Sequence, residues 1–178
     1  MGIATNEERP VSELDYRQVS SHLFAEARLL DNGNLDEWLS LLSEDVRYRL
    51  IAPTMLMERG GTPQAGQGVI LMDETIGSLK TRIQQLGTPS YTVAENPRSF
   101  TRRFVANIEI DSINSDGLIQ VHSNVLVYRS RASQMEPHLF SMSRDDTLRR
   151  VNGKLYLARR EARLDESVVG SRNISTLF

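Results

Sequence analysis

The sequence predicts an α+β fold on three observations. Up to position 86 the apolar residues recur mainly at steps of three and four, beyond Thr101 they alternate, and no linker, internal repeat or low-complexity tract divides the 178 residues. Helices followed by a run of hairpin-connected strands is the α+β pattern. A chain of this length buries roughly two-thirds of its unfolded surface around one core. Residues 1–178 therefore read as a single domain, with the polar residues 1–11 as a mobile N-terminal arm.

The elements follow in order. "SELD" at 12–15 writes a capping box with Ser12 at the N-cap, and Tyr16, Val19, Leu23, Ala27 and Leu30 then form one apolar stripe. Gly33 supplies the left-handed residue that closes this helix, and Asn34 with Glu37 reads as a second cap. Leu35, Trp38, Leu39 and Leu42 continue at helical spacing in a shorter helix. In "VRYRLI", 46–51, Val46, Tyr48 and Leu50 share one face of a strand while Arg47 and Arg49 take the other. The segment 52–68 has two prolines, four glycines and no period, and reads as a long exposed excursion. Asp73 is the expected cap of a third helix, with Met72, Ile76, Leu79, Ile83 and Leu86 on its stripe and Gly87 at its end.

Strands then follow at 101–111, 118–130, 138–151 and 154–164. "NSDG" at 114–117 is a turn between the first two, a loop runs through Pro137, and Asn152-Gly153 is a two-residue hairpin signal.

Composition removes whole classes of chemistry. The chain has no cysteine, which excludes a disulfide framework, thiolate-held zinc, an iron–sulfur cluster and a cysteine nucleophile. A net charge of -2 argues against a general nucleic-acid binder. No apolar run approaches a membrane span and the N-terminus lacks a hydrophobic signal core; Asn6 stands where a myristoylation signal wants Ser or Thr. The expected location is the cytoplasm. The cations are 19 Arg against 2 Lys, a choice that favours planar, bidentate pairing with carboxylates.

The candidates for chemistry are few. His22, His122 and His138 have no partner at metal-ligand spacing. His122 and Asn124 share a strand face with Leu126 and Tyr128, which either lines a cone-shaped pocket or faces solvent. Asp31, Asp36 and Asp45 sit at element ends and read as caps, with Asp45 also placed to serve as a pocket acid. "GGTPQAGQG" lacks the Lys-Ser/Thr of a phosphate loop, and no serine-hydrolase order is present. What remains is arginine: Arg98, Arg102 and Arg103 in "PRSFTRRF", then Arg144, Arg149, Arg150, Arg159, Arg160 and Arg163 beside Asp145, Asp146, Glu161 and Asp165. Interleaved signs on strands suit an ion-paired sheet or a subunit interface.

Three segments, "FAEARLLDNGNLDEWLSLLSEDVRY", "ENPRSFTRRFVANIEI" and "LRRVNGKLYLARREARLDESVVGSRNISTLF", resemble in order and spacing the small, or beta, subunit of aromatic-ring-hydroxylating dioxygenases. The most specific match is Pro97-x-Ser99-x-x-Arg102-Arg103 followed by Asn107, with Phe100 where the family commonly has an arginine. Asn173 in "SRNISTLF" is the second. The resemblance implies the nuclear transport factor 2-like cone, with N-terminal helices packed on a long curved antiparallel sheet. It also implies a non-catalytic, metal-free subunit, with no cofactor of its own, working with a catalytic alpha subunit that holds a Rieske [2Fe-2S] cluster and mononuclear Fe(II), commonly as three alpha and three beta chains. Electrons would come from NAD(P)H through a reductase and usually a ferredoxin. The product would be a cis-dihydrodiol of an aromatic hydrocarbon or aromatic acid. Arg98, Arg102, Arg103, Asn107, Arg160 and Asn173 are then the candidate subunit-interface residues. The alternative is a free-standing cone-fold dehydratase, isomerase or cyclase using His122 or Asp45 in its own pocket.

Overall fold

A computed structural model of the chain describes residues 9–56, 64–65, 68–87, 99–131, 137–166 and 176–178. The elements run α1 (Glu13–Asn32), α2 (Leu35–Leu39), β1 (Leu42–Ala52), β2 (Met55–Leu56), β3 (Gln64–Ala65), β4 (Val69–Thr75), α3 (Ile76–Gly87), β5 (Phe100–Ile113), β6 (Leu118–Ser130), β7 (His138–Val151) and β8 (Lys154–Leu164). Six strands form one sheet in the order β4-β1-β8-β7-β6-β5, and β2 pairs with β3 in a separate ribbon. Neighbours are antiparallel except β1 and β8, which run parallel. Among the described residues no helix is long and apolar enough to cross a membrane.

The first helix starts as its capping box dictates. The Asp15 amide donates to Ser12 Oγ at 3.2 Å and the Ser12 amide donates to Asp15 Oδ2 at 3.1 Å, and Gly33 closes the helix at φ 71°. Val19, Leu23, Ala27 and Leu30 are buried as expected, but Tyr16 is half exposed and the buried face also carries Asp15 and Glu26. Both carboxylates are paired with arginines reaching up from the sheet, Arg150 and Arg160, which is what lets a helix bury charge. Residues 1–8 of the expected arm lie outside the described residues. Arg9 is tied down, its amide donating to the Ile113 carbonyl and its guanidinium pairing with Asp15.

Expectations around α2 and α3 need correction. Asn34 precedes α2 but makes no side-chain capping bond, and Leu42 opens β1 instead of extending the helix. Asp73 does not cap α3, and Met72 is not on its stripe. Both lie in β4, where Met72 is buried and Asp73 pairs with Arg49 at 3.0 Å. The cap is two residues later: the Thr75 amide donates to Ser78 Oγ at 2.8 Å and the Ser78 amide to Thr75 Oγ1 at 3.4 Å. The excursion keeps its expected bounds, with 53–68 lying between β1 and β4; within it β2 pairs with β3, and β4 then returns antiparallel along β1.

The long strands bend at bulges. Register slips between Ala106 and Glu109 on β5, where Asn107 adopts φ 50°, and between Thr147 and Leu148 on β7. An extra residue on one strand bends it and increases the local twist, and asparagine is among the few residues that enter the left-handed region readily. Asn152 and Gly153 make the foreseen hairpin with φ 50° and 79°. The result is a curved sheet with a concave face carrying Val121, Val125, Val127, Phe140, Met142, Leu148 and Ala162, against which the helices pack.

Candidate functional site

The hollow of the curved sheet is where side chains from every layer converge. Strand alternation turns Tyr48 of β1, Arg144 and Asp146 of β7 and Arg160 of β8 inward, and α1 lowers Glu26 onto them. All five are essentially sealed from solvent, Arg160 at 1% exposure. Arg160 makes bidentate bonds to both carboxylates: 2.7 and 2.8 Å to Glu26 from Nη1 and Nη2, and 2.8 and 2.7 Å to Asp146 from Nε and Nη2. Arg144 Nη1 lies 3.4 Å from Glu26 and its Nη2 3.8 Å from Asp146. Trp38 Nε1 donates to Glu26 at 3.1 Å, and the Arg160 guanidinium sits 5.6 Å from the centre of the Tyr48 ring. Two guanidinium groups facing two carboxylates leave no net buried charge, the condition under which such a cluster is tolerated.

Electrostatics follow from that packing. Burial pushes the Glu26 carboxyl up, but Arg160 and Arg144 outweigh it and hold the group below the usual carboxylate range. Burial raises the Tyr48 hydroxyl and lowers His22. Glu26 stays an anion spent on its arginines and Tyr48 stays a neutral phenol; neither is set to exchange a proton near neutral pH.

The rest of the hollow is filled by the chain itself. Thr176, Leu177 and Phe178 are buried. Phe178 places its ring edge-on to Phe140, centroids 5.1 Å apart. Its amide donates to the Tyr48 hydroxyl at 2.6 Å, and its main-chain oxygen accepts from Arg160 Nη1 at 2.9 Å and from the Tyr48 hydroxyl. Arg103 of β5 donates to the Leu177 carbonyl and pairs with Asp31, whose other oxygen accepts the Arg103 amide at 2.9 Å. Asp31 thus joins α1 to β5 and is not a cap.

The catalytic candidates lie elsewhere. Ile119, Val121, Ser123 and Val125 take the inner face of β6, so His122, one residue out of phase, points to the outer face. Its Nδ1 is 2.9 Å from Asp145, and that hydrogen bond raises its pKa. Asp45 is exposed at the start of β1 and makes a two-pronged pair with Arg149, 2.8 Å on each arm, a contact that holds the carboxyl well below its ordinary value. Asp36 is exposed in the first turn of α2. His22 borders an open groove of about 340 Å³ between α1 and the β7–β8 turn, with Arg17, Gln18 and Leu155. The two residues offered for pocket catalysis, His122 and Asp45, are therefore both outside the hollow.

The arginine motif divides in the same way. Arg103 and Arg160 lie inside the single chain and meet on its tail. Arg102 and Asn107 are exposed on β5, Asn107 as the bulge residue. Arg98 and Asn173 lie outside the described residues. Near Arg102 the outer face is apolar: Phe104 pairs with Leu126, and Arg102 with Tyr128, which pairs in turn with Leu139. Phe100, next along β5, is 75% exposed. Sequence reasoning missed Glu26, Tyr48 and Phe178 as members of one cluster. A signal was present, because Arg144 and Asp146 keep step with Phe140, Met142 and Leu148 on β7, and Glu26 lies between Leu23 and Leu30 on the stripe of α1.

Comparison with known proteins agrees with this geometry. Residues 25–171 match the family model described as "Ring hydroxylating beta subunit". A curated relative, benzene 1,2-dioxygenase subunit beta from Pseudomonas putida, is 29% identical over 173 residues, 95% of this chain and 91% of that one. Among solved structures, a naphthalene 1,2-dioxygenase with indole bound in its active site superposes with a TM-score of 0.76 at 21% identity, covering 94% of this chain and 95% of that one. The beta subunit of the benzoate 1,2-dioxygenase from Burkholderia mallei gives 0.68 at 17%, covering 95% and 99%. At these identities the structural matches establish the fold, which is the nuclear transport factor 2-like cone foreseen from the sequence.

Proposed function

Since the chain belongs to the family of ring-hydroxylating beta subunits, we propose that it is the non-catalytic beta subunit of the terminal oxygenase of an aromatic-ring-hydroxylating dioxygenase. The enzyme adds both atoms of O2 to an aromatic hydrocarbon or aromatic acid to give a cis-dihydrodiol. The observation that carries the non-catalytic role is the filled cone: where a cone enzyme would hold substrate, this chain packs Glu26, Arg144, Asp146 and Arg160 against its own Phe178.

The donor set does not fit the iron groups of such an enzyme. A Rieske cluster takes two cysteines and two histidines, and an oxygen-activating iron commonly takes two histidines and a carboxylate. This chain has no cysteine, and its three histidines stand on α1, β6 and β7. Both groups belong to a catalytic alpha subunit, fed from NAD(P)H through a reductase and a ferredoxin, in a cytoplasmic complex of three alpha and three beta chains. The exposed apolar strip of Phe100, Phe104, Leu126, Tyr128 and Leu139, edged by Arg102, supports a packing role, since strips of this kind mark interaction surfaces.

Purification of the chain alone and with its alpha subunit tests the reading. Alone, it is expected to bind no stoichiometric iron and to turn over no aromatic substrate. Co-expressed, it is expected to copurify in a complex that forms the dihydrodiol. One tightly held iron per isolated chain, or failure to copurify, contradicts the assignment.

A further inference from the structure

Beside its buried stripe, α1 carries a second one. Leu14, Arg17, Gln18, Ser21 and His22 follow the three-and-four spacing of one helix face, and across an open groove of about 340 Å³ that face meets Leu155 and the β7–β8 turn. Leu155 is buried and Leu14 is exposed; the four residues between them are hydrogen-bond donors. Gln18 gives its side-chain oxygen to Arg150 Nη2 at 2.9 Å, which leaves its amide nitrogen to donate. Arg17, Ser21 and His22 have no side-chain hydrogen bond or ion pair among the described residues, whereas Arg9, Arg149 and Arg150 are each spent on a carboxylate. No acidic residue lines the groove. The acid nearest in sequence on the buried stripe, Asp15, already faces Arg9 and Arg150 at once.

We propose that this groove binds a small carboxylic acid with a compact apolar body, Arg17 taking the carboxylate and Leu14 and Leu155 holding the body. A lining of donors without an acid calls for an anionic acceptor, and the planar fork of an arginine matches a carboxylate. Phosphate fits less well, because its second charge wants another cation or a row of free backbone amides; the groove offers one permanent charge. Its volume stands at the lower end of the range for small-molecule sites, where apolar walls with a few convergent polar groups are the usual make-up. His22 lies between the groove and the buried cluster of Glu26, Arg160, Asp146 and Arg144, and burial lowers its pKa. A carboxylate bound beside it favours the imidazolium and raises that value, so the ring reports on occupancy. The site is a surface of this chain alone and does not depend on its role in an oxygenase.

Titration of the full-length, isotope-labelled chain with benzoate, followed by NMR, tests it. Benzoate is expected to move the amide signals of Leu14 to His22 and of Gly153 and Leu155 saturably, and to shift the titration of the His22 ring to higher pH. Benzamide has the same shape without the charge, and acetate has the charge without the body; each is expected to bind at least about tenfold more weakly, the size of one charge-assisted hydrogen bond or one apolar contact set. Arg17→Gln removes an exposed side chain that supports nothing else in the fold, and is expected to weaken benzoate by about tenfold or more. Arg28→Gln removes the same charge further along α1, away from the groove, and is expected to leave the affinity unchanged. Signals at the groove that do not saturate, benzamide binding as tightly as benzoate, a His22 ring indifferent to benzoate, or equal affinity in Arg17→Gln and wild type each overturn the proposal, as does an equal loss in Arg28→Gln.

Discussion

Glu26 is the residue on which the interior turns, because it meets Arg160, Arg144 and Trp38 at once. Glu26→Gln keeps the shape but leaves the guanidinium groups with one buried carboxylate between them. Breaking a buried pair costs about 3–5 kcal/mol, and urea denaturation of the purified chain is expected to show a loss of that size. Asp45→Asn is the contrast. Its pair with Arg149 is equally well aligned but solvent-exposed, and exposed pairs contribute about 0–1 kcal/mol. The same environment fixes the acid response. Glu26 is depressed in the folded chain, so its contribution is complete above its unfolded pKa of about 4.3 and is lost as pH falls through the lower folded value. His22 is also depressed, by burial; it takes up its proton more readily when unfolded, so stability is expected to begin falling already below about pH 6.5. A denaturation series from pH 8 to pH 3 checks both, and Glu26→Gln is expected to flatten its lower end.

At the scale of elements, the four long strands were legible nearly to the residue, because alternation and turn chemistry are local: "NSDG" and Asn152-Gly153 fix where β5 to β8 begin and end. The strand β4 was not. "VILM" is a continuous apolar run with no period, and its pairing partner β1 lies across a segment of excursion. The parallel contact of β1 with β8 joins residues more than a hundred positions apart, which no local pattern encodes. Asn107 shows how a motif can be visible while its reason is not. In sequence it reads as an interface residue; in the fold it holds φ 50° at the bulge of β5. A residue with a Cβ and no local hydrogen-bonding side chain costs roughly 1–2 kcal/mol in that region. Asn107→Ala is therefore expected to lower stability by about that amount and Asn107→Gly by less, an ordering that thermal unfolding of the two variants decides.

At the scale of the whole molecule, the candidate site was only half legible. Sequence listed the arginines and the carboxylates but could not tell inward from outward strand phase. Thus Arg160 and Arg103, offered for a subunit surface, hold the chain's own tail, while His122 and Asp45, offered for a pocket, face away from it. On the proposed reading the cone acts as a scaffold: among the described residues its hollow is filled by the chain's own side chains, and the apolar strip around Phe100 and Phe104 lies on the outer face. The most direct measurement is the turnover of an oxygenase reconstituted with chain carrying both His122→Gln and Asp45→Asn, assayed only in fractions where the complex has assembled. A general acid or base contributes about 10²–10⁴-fold to rate. The expected result is dihydrodiol formation within a few-fold of wild type; an assembled complex slowed a hundredfold would contradict the scaffold role and place catalysis on this chain.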